Sequence, residues 1–471
     1  MDAILYWNDV ALEANRISHT NDAKEQTGPA LSSRALAIVH LAMYDAFAGA
    51  QGNPAGLPPY LAGLPAAAPN ASPDAAVAGA AHTALSALFP SQRPFFDTKR
   101  SGAPLVGTAS ELSNGHMFGV TVAHAILADR ECDDDAQDHG HVASTARGAH
   151  RPDPDNPRQG FDAPSYGART KCFAVTKRWA LDKPPLPGDV EYTDAFRQVR
   201  GKGIAPELAG TLPASLPKRT VDETLIGTYW AYDGARGIGT PPRLYNQIVG
   251  AVARQRNNSP AENARLFALV NAAMADAGIL AWEQKYLHDL WRPVVGIREH
   301  DPSLGPSGMA DNDISDLTQL DWLPLGAPRS NGDPKKFEKN FTPPFPAYPS
   351  GHATFGAAAF QMARLFYKQG APGPDSLFNG LSFVSDEYNG VSTDVKGTVR
   401  PRHVRDFPGG LWRMIRENSI SRMYLGVHWI FDGFLPDGSG GIDLTRNIGG
   451  VPLGLNIAND IFNSGLKKSK V

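Results

Sequence analysis

Three separated segments carry groups suited to one kind of chemistry. WEQKYLHDLWRP (282–293) holds Lys285 and Arg292. The two are seven apart, two helical turns, so both side chains are expected to project from one face. FPAYPSGH (345–352) supplies Ser350, the backbone N–H of Gly351, and His352. SRMYLGVHW (421–429) supplies Arg422 and, after Gly426, His428. Arginine offers planar, forked donors and lysine a point charge. Three cations, a hydroxyl and a backbone N–H are what a tetrahedral or trigonal oxyanion needs. Two histidines remain for work at its central atom, because imidazole exchanges a proton near neutral pH.

The middle segment organises the rest. Four prolines precede Ser350, and Phe355, Ala359, Met362 and Phe366 then recur at spacings of four, three and four. That pattern predicts a helix over 350–368. Ser350 stands where an N-cap belongs, and Gly351 has no side chain to keep a ligand from the backbone. A helix start of this kind binds anions. Taken singly, each segment reads as something ordinary: a capped helix, a solvated basic face, a surface arginine, a half-buried histidine. Their joint occurrence points to one site.

The elements that must position these groups are helical. Periodicity predicts helices over 3–16, 31–49, 74–89 and 107–129, enough for a bundle in the first half. His40 and Asp45 fall inside the second and read as satisfied buried polar groups. Residues 131–215 are rich in loops, and CDDDAQDHGH (132–141) reads as a solvated polar loop rather than a cation site. Helical patterns return over 221–233, 241–255, 260–297 and 407–425. The stretch 300–340 reads as a long ordered loop. DNDISD (311–316) lacks the glycine and final glutamate of an EF-hand. Alternating runs are short, so strands should be few. The expected fold is all-α, two four-helix bundles with long ordered loops. Residues 1–215 would form the N-terminal bundle plus a loop-rich connection, and 216–471 a C-terminal bundle carrying the site.

Composition agrees. The chain has 471 residues, 42% of them hydrophobic, enough for a sizeable core. The net charge of −3 argues against nucleic acid as a partner. With 39 prolines and 47 glycines, ordered loops must be extensive. Only Cys132 and Cys172 are present, which excludes a disulfide framework and leaves their pairing open. No apolar run looks long enough for a membrane span. The start, MDAILYWNDV, enters an amphipathic pattern at once without signal-peptide character, which fits a cytoplasmic protein or a secreted one with its signal removed.

The three segments match the signature shared by vanadium-dependent haloperoxidases and the acid phosphatases related to PAP2 enzymes. The chain further resembles the fungal-type vanadium chloroperoxidases. The resemblance rests on YWAYDGARGIGTPPRLYNQIV (229–249), ARLFALVNAAMADAG (264–278), FPAYPSGHATFGAAAFQM (345–362) and SRMYLGVHW. It extends to ILYWNDVALEANRISHT (4–20) and SSRALAIVHLAMYDA (32–46), outside either oxyanion motif. It is weakest over 50–215, 300–340 and 370–406.

The resemblance implies vanadate as cofactor, bonded through His428. It implies that Lys285, Arg292, Ser350, Gly351 and Arg422 hold the vanadate oxygens and that His352 acts as acid and base. Asp233 matches a carboxylate that supports the catalytic histidine region. Phe345 and Trp282 match apolar residues beside the halide position. Bromide-specific relatives carry histidine where Phe345 stands, so the chloride-oxidising kind is implied. Ile430 stands where a basic residue is expected, a departure in the outer surroundings of the site. Hydrogen peroxide, halide and small organic acceptors are the implied partners, with Lys285 polarising one peroxide oxygen. Two rivals remain at this level. A PAP2-type phosphatase would use His428 as nucleophile and His352 to protonate the leaving group. A non-enzymatic oxyanion binder would have no need of two histidines.

Overall fold

A computed structural model of the chain describes every residue except 1, 310–313, 316 and 337. Part of the DNDISD loop, residues 311–313 and 316, therefore lies outside the described residues. The chain opens with α1 (Ala3–Ser18), α2 (Gly28–Ala50), α3 (Pro73–Leu88), α4 (Arg93–Ser101) and α5 (Ala109–Asp129). A long irregular stretch contains α6 (Tyr166–Arg169) and α7 (Val190–Lys202). Then come α8 (Val221–Tyr229), α9 (Pro241–Gln255), α10 (Pro260–His288) and α11 (Pro293–Arg298). The last helices are α12 (Gly351–Phe366), α13 (Gly410–Tyr424), α14 (Ile430–Gly433) and α15 (Gly450–Ser464). Among the described residues the one sheet is the antiparallel pair β1 (Leu381–Phe383) and β2 (Arg405–Phe407), with Ser382 opposite Asp406. The fold is all-α, as the periodicity predicts.

Helix starts are set by local chemistry. Ser72, Thr108, Thr220, Ser259 and Ser350 each accept a backbone N–H three residues on, so one otherwise orphaned donor is satisfied at each start. Pro260 and Pro293 occupy first helical positions, where a missing N–H costs nothing.

Packing places α10 at the centre. It lies against α2 on one side and α12 on the other, and α12 also packs on α9, α13 and α15. By length and composition α10 could cross a membrane, contrary to the expectation that no run is long enough. Its most apolar window is 94% buried inside the fold, so that apolarity serves the core. α15 lies close against the first turns of α12. A Cβ on Gly450 would sit 2.5 Å from Ser350 O, and one on Gly454 would sit 2.4 Å from Thr354 O. These two glycines let α15 approach the helix that starts at the site.

Several expectations change. Residues 260–297 are not one helix: Asp289 adopts a left-handed conformation (φ 47°) that ends α10. α4, α7 and α15 lie outside the helices that periodicity predicts. In α7 the buried Tyr192, Ala195, Phe196 and Val199 follow helical spacing, but their loop-rich surroundings hide the pattern. In α15 the glycines lower intrinsic helix propensity, and packing on α12 overrides that. His40 and Asp45 are satisfied core groups. His40 bonds Leu36 O at 2.7 Å and Asn8 Oδ1 at 3.1 Å, and Asp45 accepts the N–H groups of Tyr60 and Leu61. In the acidic loop, Asp133 pairs with Arg34 and Arg130. Cys172 is buried and Cys132 exposed, and both are free thiols.

Candidate active site

The three segments converge at the N-terminus of α12. Lys285 leaves the last turn of α10, whereas Arg292 follows the break at Asp289 and stands at the N-cap of α11. The two therefore do not share a helical face. They meet because the chain turns back between them. Lys285, Arg292 and Ser350 have no exposed surface, and Arg422, His428 and Gly351 are also buried.

His428 has a fixed tautomer. Its Nδ1 donates to Asp432 Oδ2 at 2.8 Å, and the Trp429 backbone N–H donates to the same oxygen at 3.0 Å. The Nε2 lone pair is thereby aimed at Arg292 Nη1, 2.9 Å away. Arg292 also donates from Nε to Phe345 O at 2.8 Å and from Nη1 to Val427 O at 2.7 Å. Arg422 makes a two-pronged pair with Asp233 at 2.9 and 2.6 Å. Asp233 Oδ1 is also 4.0 Å from His352 Nε2, so the carboxylate that braces the arginine lies close to the histidine. His352 Nε2 donates to Ala231 O, which leaves the Nδ1 lone pair free.

Lys285 is more constrained than its sequence suggests. Its Nζ donates to the carbonyls of Pro346, Ala347 and Pro349 at 2.9, 3.3 and 2.5 Å. It thus pins the proline-rich approach to Ser350 and reaches an anion only by releasing one of these bonds. The Phe345 ring lies 4.9 Å from Lys285 Nζ and 4.9 Å from Arg292 Cζ, and its centroid is 4.9 Å from that of Trp282.

The electrostatics call for an anion. Lys285, Arg292 and Arg422 face Asp233 and Asp432, and Asp162 also acts on Lys285. Arg292 Nη2 and Arg422 Nε are buried with no acceptor. A buried donor without a partner is costly, and a cation more so. Burial, then Arg292, holds Lys285 well below its usual range, and burial lowers Arg292 to about 9. Burial, with Arg422 nearby, likewise keeps His352 neutral, and burial with Arg292 does the same for His428. A tetrahedral oxyanion fits this donor set.

Two residues of the site escaped the sequence. Asp432 orients His428; its signal is a carboxylate four positions after the histidine on a short helix. Asp162 joins from far along the chain, where its backbone carbonyl accepts Tyr286 Oη–H at 2.7 Å and Trp282 Nε1–H at 3.3 Å. No local pattern announces it. A cavity of about 270 Å³ opens above the cage, walled by Trp282, Phe341, Phe345, Phe355 and Tyr232 and reaching Asp162.

A helical protein with a buried cationic cage, two neutral histidines and an apolar antechamber defines a class of oxyanion-dependent enzymes. Residues 1–162 match the vanadium chloroperoxidase N-terminal domain, and residues 265–452 match the second helical-bundle domain of those enzymes. The vanadium chloroperoxidase of Curvularia inaequalis is 35% identical, over 98% of this chain and 90% of that protein. The chain belongs to the vanadium chloroperoxidase family. Its fold is shared with a bacterial vanadium-dependent iodoperoxidase (TM-score 0.64, 18% identity, covering 98% of this chain and 96% of that one). It is also shared with a holo-type bacterial vanadium-dependent chloroperoxidase (TM-score 0.62, 15% identity, 95% and 94% covered). Similarity along nearly the whole chain disfavours the phosphatase alternative.

Proposed function

We propose that Lys285, Arg292, Ser350, Gly351, Arg422 and His428 hold vanadate, and that His352, Lys285, His428 and Asp233 carry the reaction. The chain is a vanadium-dependent haloperoxidase that oxidises halide with hydrogen peroxide. The observation that carries the residue assignment is the pair of orphaned buried donors, Arg292 Nη2 and Arg422 Nε, beside the Nε2 lone pair of His428, which meets no protein group but Arg292.

When bound, vanadate supplies a Lewis acid that activates peroxide without changing its own oxidation state. His428 Nε2 would be its protein ligand, held in that tautomer by Asp432. Arg292 and Arg422 would balance its charge, and the N–H of Gly351 would add a donor at the helix start. His352, neutral and with Nδ1 free, takes a proton from hydrogen peroxide. Lys285 would place its positive charge beside the reacting oxygen, acting as a fixed electrostatic group. Phe345 and Trp282 keep water from the halide, and with phenylalanine at 345 we assign chloride as well as bromide as substrates. Peroxide-dependent bromination measured with and without added orthovanadate tests the reading. Activity that is present at the same level in vanadate-stripped protein would refute it.

A further inference from the structure

The cavity above the cage is larger than halide and peroxide require. Each of these is close to water in size, roughly 30 Å³. The cavity's 270 Å³ approaches the lower end, about 300 Å³, of pockets that hold small organic molecules. Its lining is chemically mixed. The cage contributes His352, His428 and Arg422. Asp162 lines the cavity too, and also a second, more polar pocket whose walls include Lys24 and Asp138.

Asp162 Oδ2 is shielded from solvent and has no hydrogen-bond partner. The neighbouring Tyr286 and Trp282 donors are spent on its backbone carbonyl instead. His19, on the same wall, is already satisfied: Nδ1 donates to Asn15 O, and Nε2 accepts from the Gly28 N–H. Away from the cage, then, the carboxylate of Asp162 is the unspent polar group of the wall. Much of the remaining wall is aromatic and proline-rich.

We propose that this cavity binds the organic acceptor of the reaction, and that the acceptor is an aromatic molecule carrying an ammonium group held by Asp162. The proposal rests on the haloperoxidase reading. The ring lies along Trp282, Phe345 and Phe355, its ammonium group meets Asp162, and its reactive carbon faces the cage. That carbon exchanges a C–H for a C–halogen bond. Hypohalous acid transfers its halogen to the ring, and the displaced ring proton leaves with the hydroxide as water. Burial pushes the Asp162 carboxyl up to about 6, with Lys285 opposing, so it is anionic at pH 7.5.

Calorimetric titration of the vanadate-loaded protein at pH 7.5, without peroxide, tests this with tyramine and 4-hydroxyphenylacetate. The two share a phenol ring and carry opposite charges. Tyramine is expected to bind at least about tenfold more tightly, and Asp162→Asn to bring the two within about twofold. Absence of tyramine binding, or equal binding of both in the wild type, overturns the proposal. A preference that survives Asp162→Asn in a variant with an unchanged melting profile removes Asp162 from it. Binding is read without turnover, and bromination by the same preparation reports separately on the haloperoxidase reading, so either failure is seen by itself.

Discussion

Asp432 Oδ2 accepts both the His428 Nδ1–H at 2.8 Å and the Trp429 backbone N–H at 3.0 Å, which fixes the ring and its tautomer together. The carboxylate is fully buried, and burial pushes it up to about 7 while Arg292 and Lys285 oppose. Replacing Asp432 by Ala frees the ring to rotate and to change tautomer. Vanadate affinity should fall roughly 10- to 100-fold, the usual loss when a ligand's supporting group is removed. Titration of stripped protein with orthovanadate measures it. Unchanged affinity would mean that the cations alone hold the anion.

Lys285→Ala separates binding from turnover. Arg292 and Arg422 remain to hold a ground-state anion, so vanadate binding should stay measurable. Halide oxidation at saturating vanadate and peroxide should slow by roughly 100- to 1,000-fold, the scale for losing one preorganised donor. The carbonyls of Pro346, Ala347 and Pro349 also lose their partner, so a lower melting temperature is expected alongside. Full turnover once vanadate saturates would leave Lys285 a structural residue.

Phe345→His tests the halide assignment. The ring now sits against Lys285, Arg292 and Trp282, and an imidazole there brings water and a dipole to the same place. Chloride oxidation should fall much more than bromide oxidation, read as the ratio of the two kcat/KM values. Equal losses would remove Phe345 from the choice of halide.

The cage groups were legible in the sequence because they sit within short motifs whose residue types suit one chemistry. Ser350 as N-cap and the helix after it follow from proline, serine and apolar spacing alone. What misled was continuity. Lys285 and Arg292 look like one helical face, and the left-handed Asp289, in a conformation aspartate takes more readily than most side chains but that no local pattern announces, separates them. Asp432 was within reach of local reading. Asp162 and the glycines of α15 were not, because their roles exist only once distant segments pack.

Gly454→Ala probes that packing. A Cβ there would lie 2.4 Å from Thr354 O and 2.7 Å from Ala357 Cβ, so α15 must move away from α12. Overpacking of this kind costs about 1–3 kcal/mol. A thermal or denaturant melt should register it, and vanadate affinity should fall with it, because Gly450 of the same helix abuts Ser350. An unperturbed melt would show that the interface between α12 and α15 yields easily.

Asp162 gives the site a pH dependence of its own. Burial raises its carboxyl to about 6. Below that pH it is neutral and indifferent to a halide entering the cavity it lines. Above that pH it is an anion beside the path of another anion, so entry is opposed. The KM for bromide should therefore rise as pH climbs through 6, by roughly threefold to tenfold for a partly screened charge pair. Lys285 opposes the effect of burial on this carboxyl, and it is present in both wild type and variant. Asp162→Asn should flatten the rise and leave KM near its low-pH value. Protonation at the cage also shapes the profile, so the informative quantity is the ratio of wild-type to variant KM at each pH. That ratio should be near 1 at pH 5 and should grow by pH 7.5. A ratio that stays constant from pH 5 to 7.5 would show that Asp162 does not titrate in view of the halide.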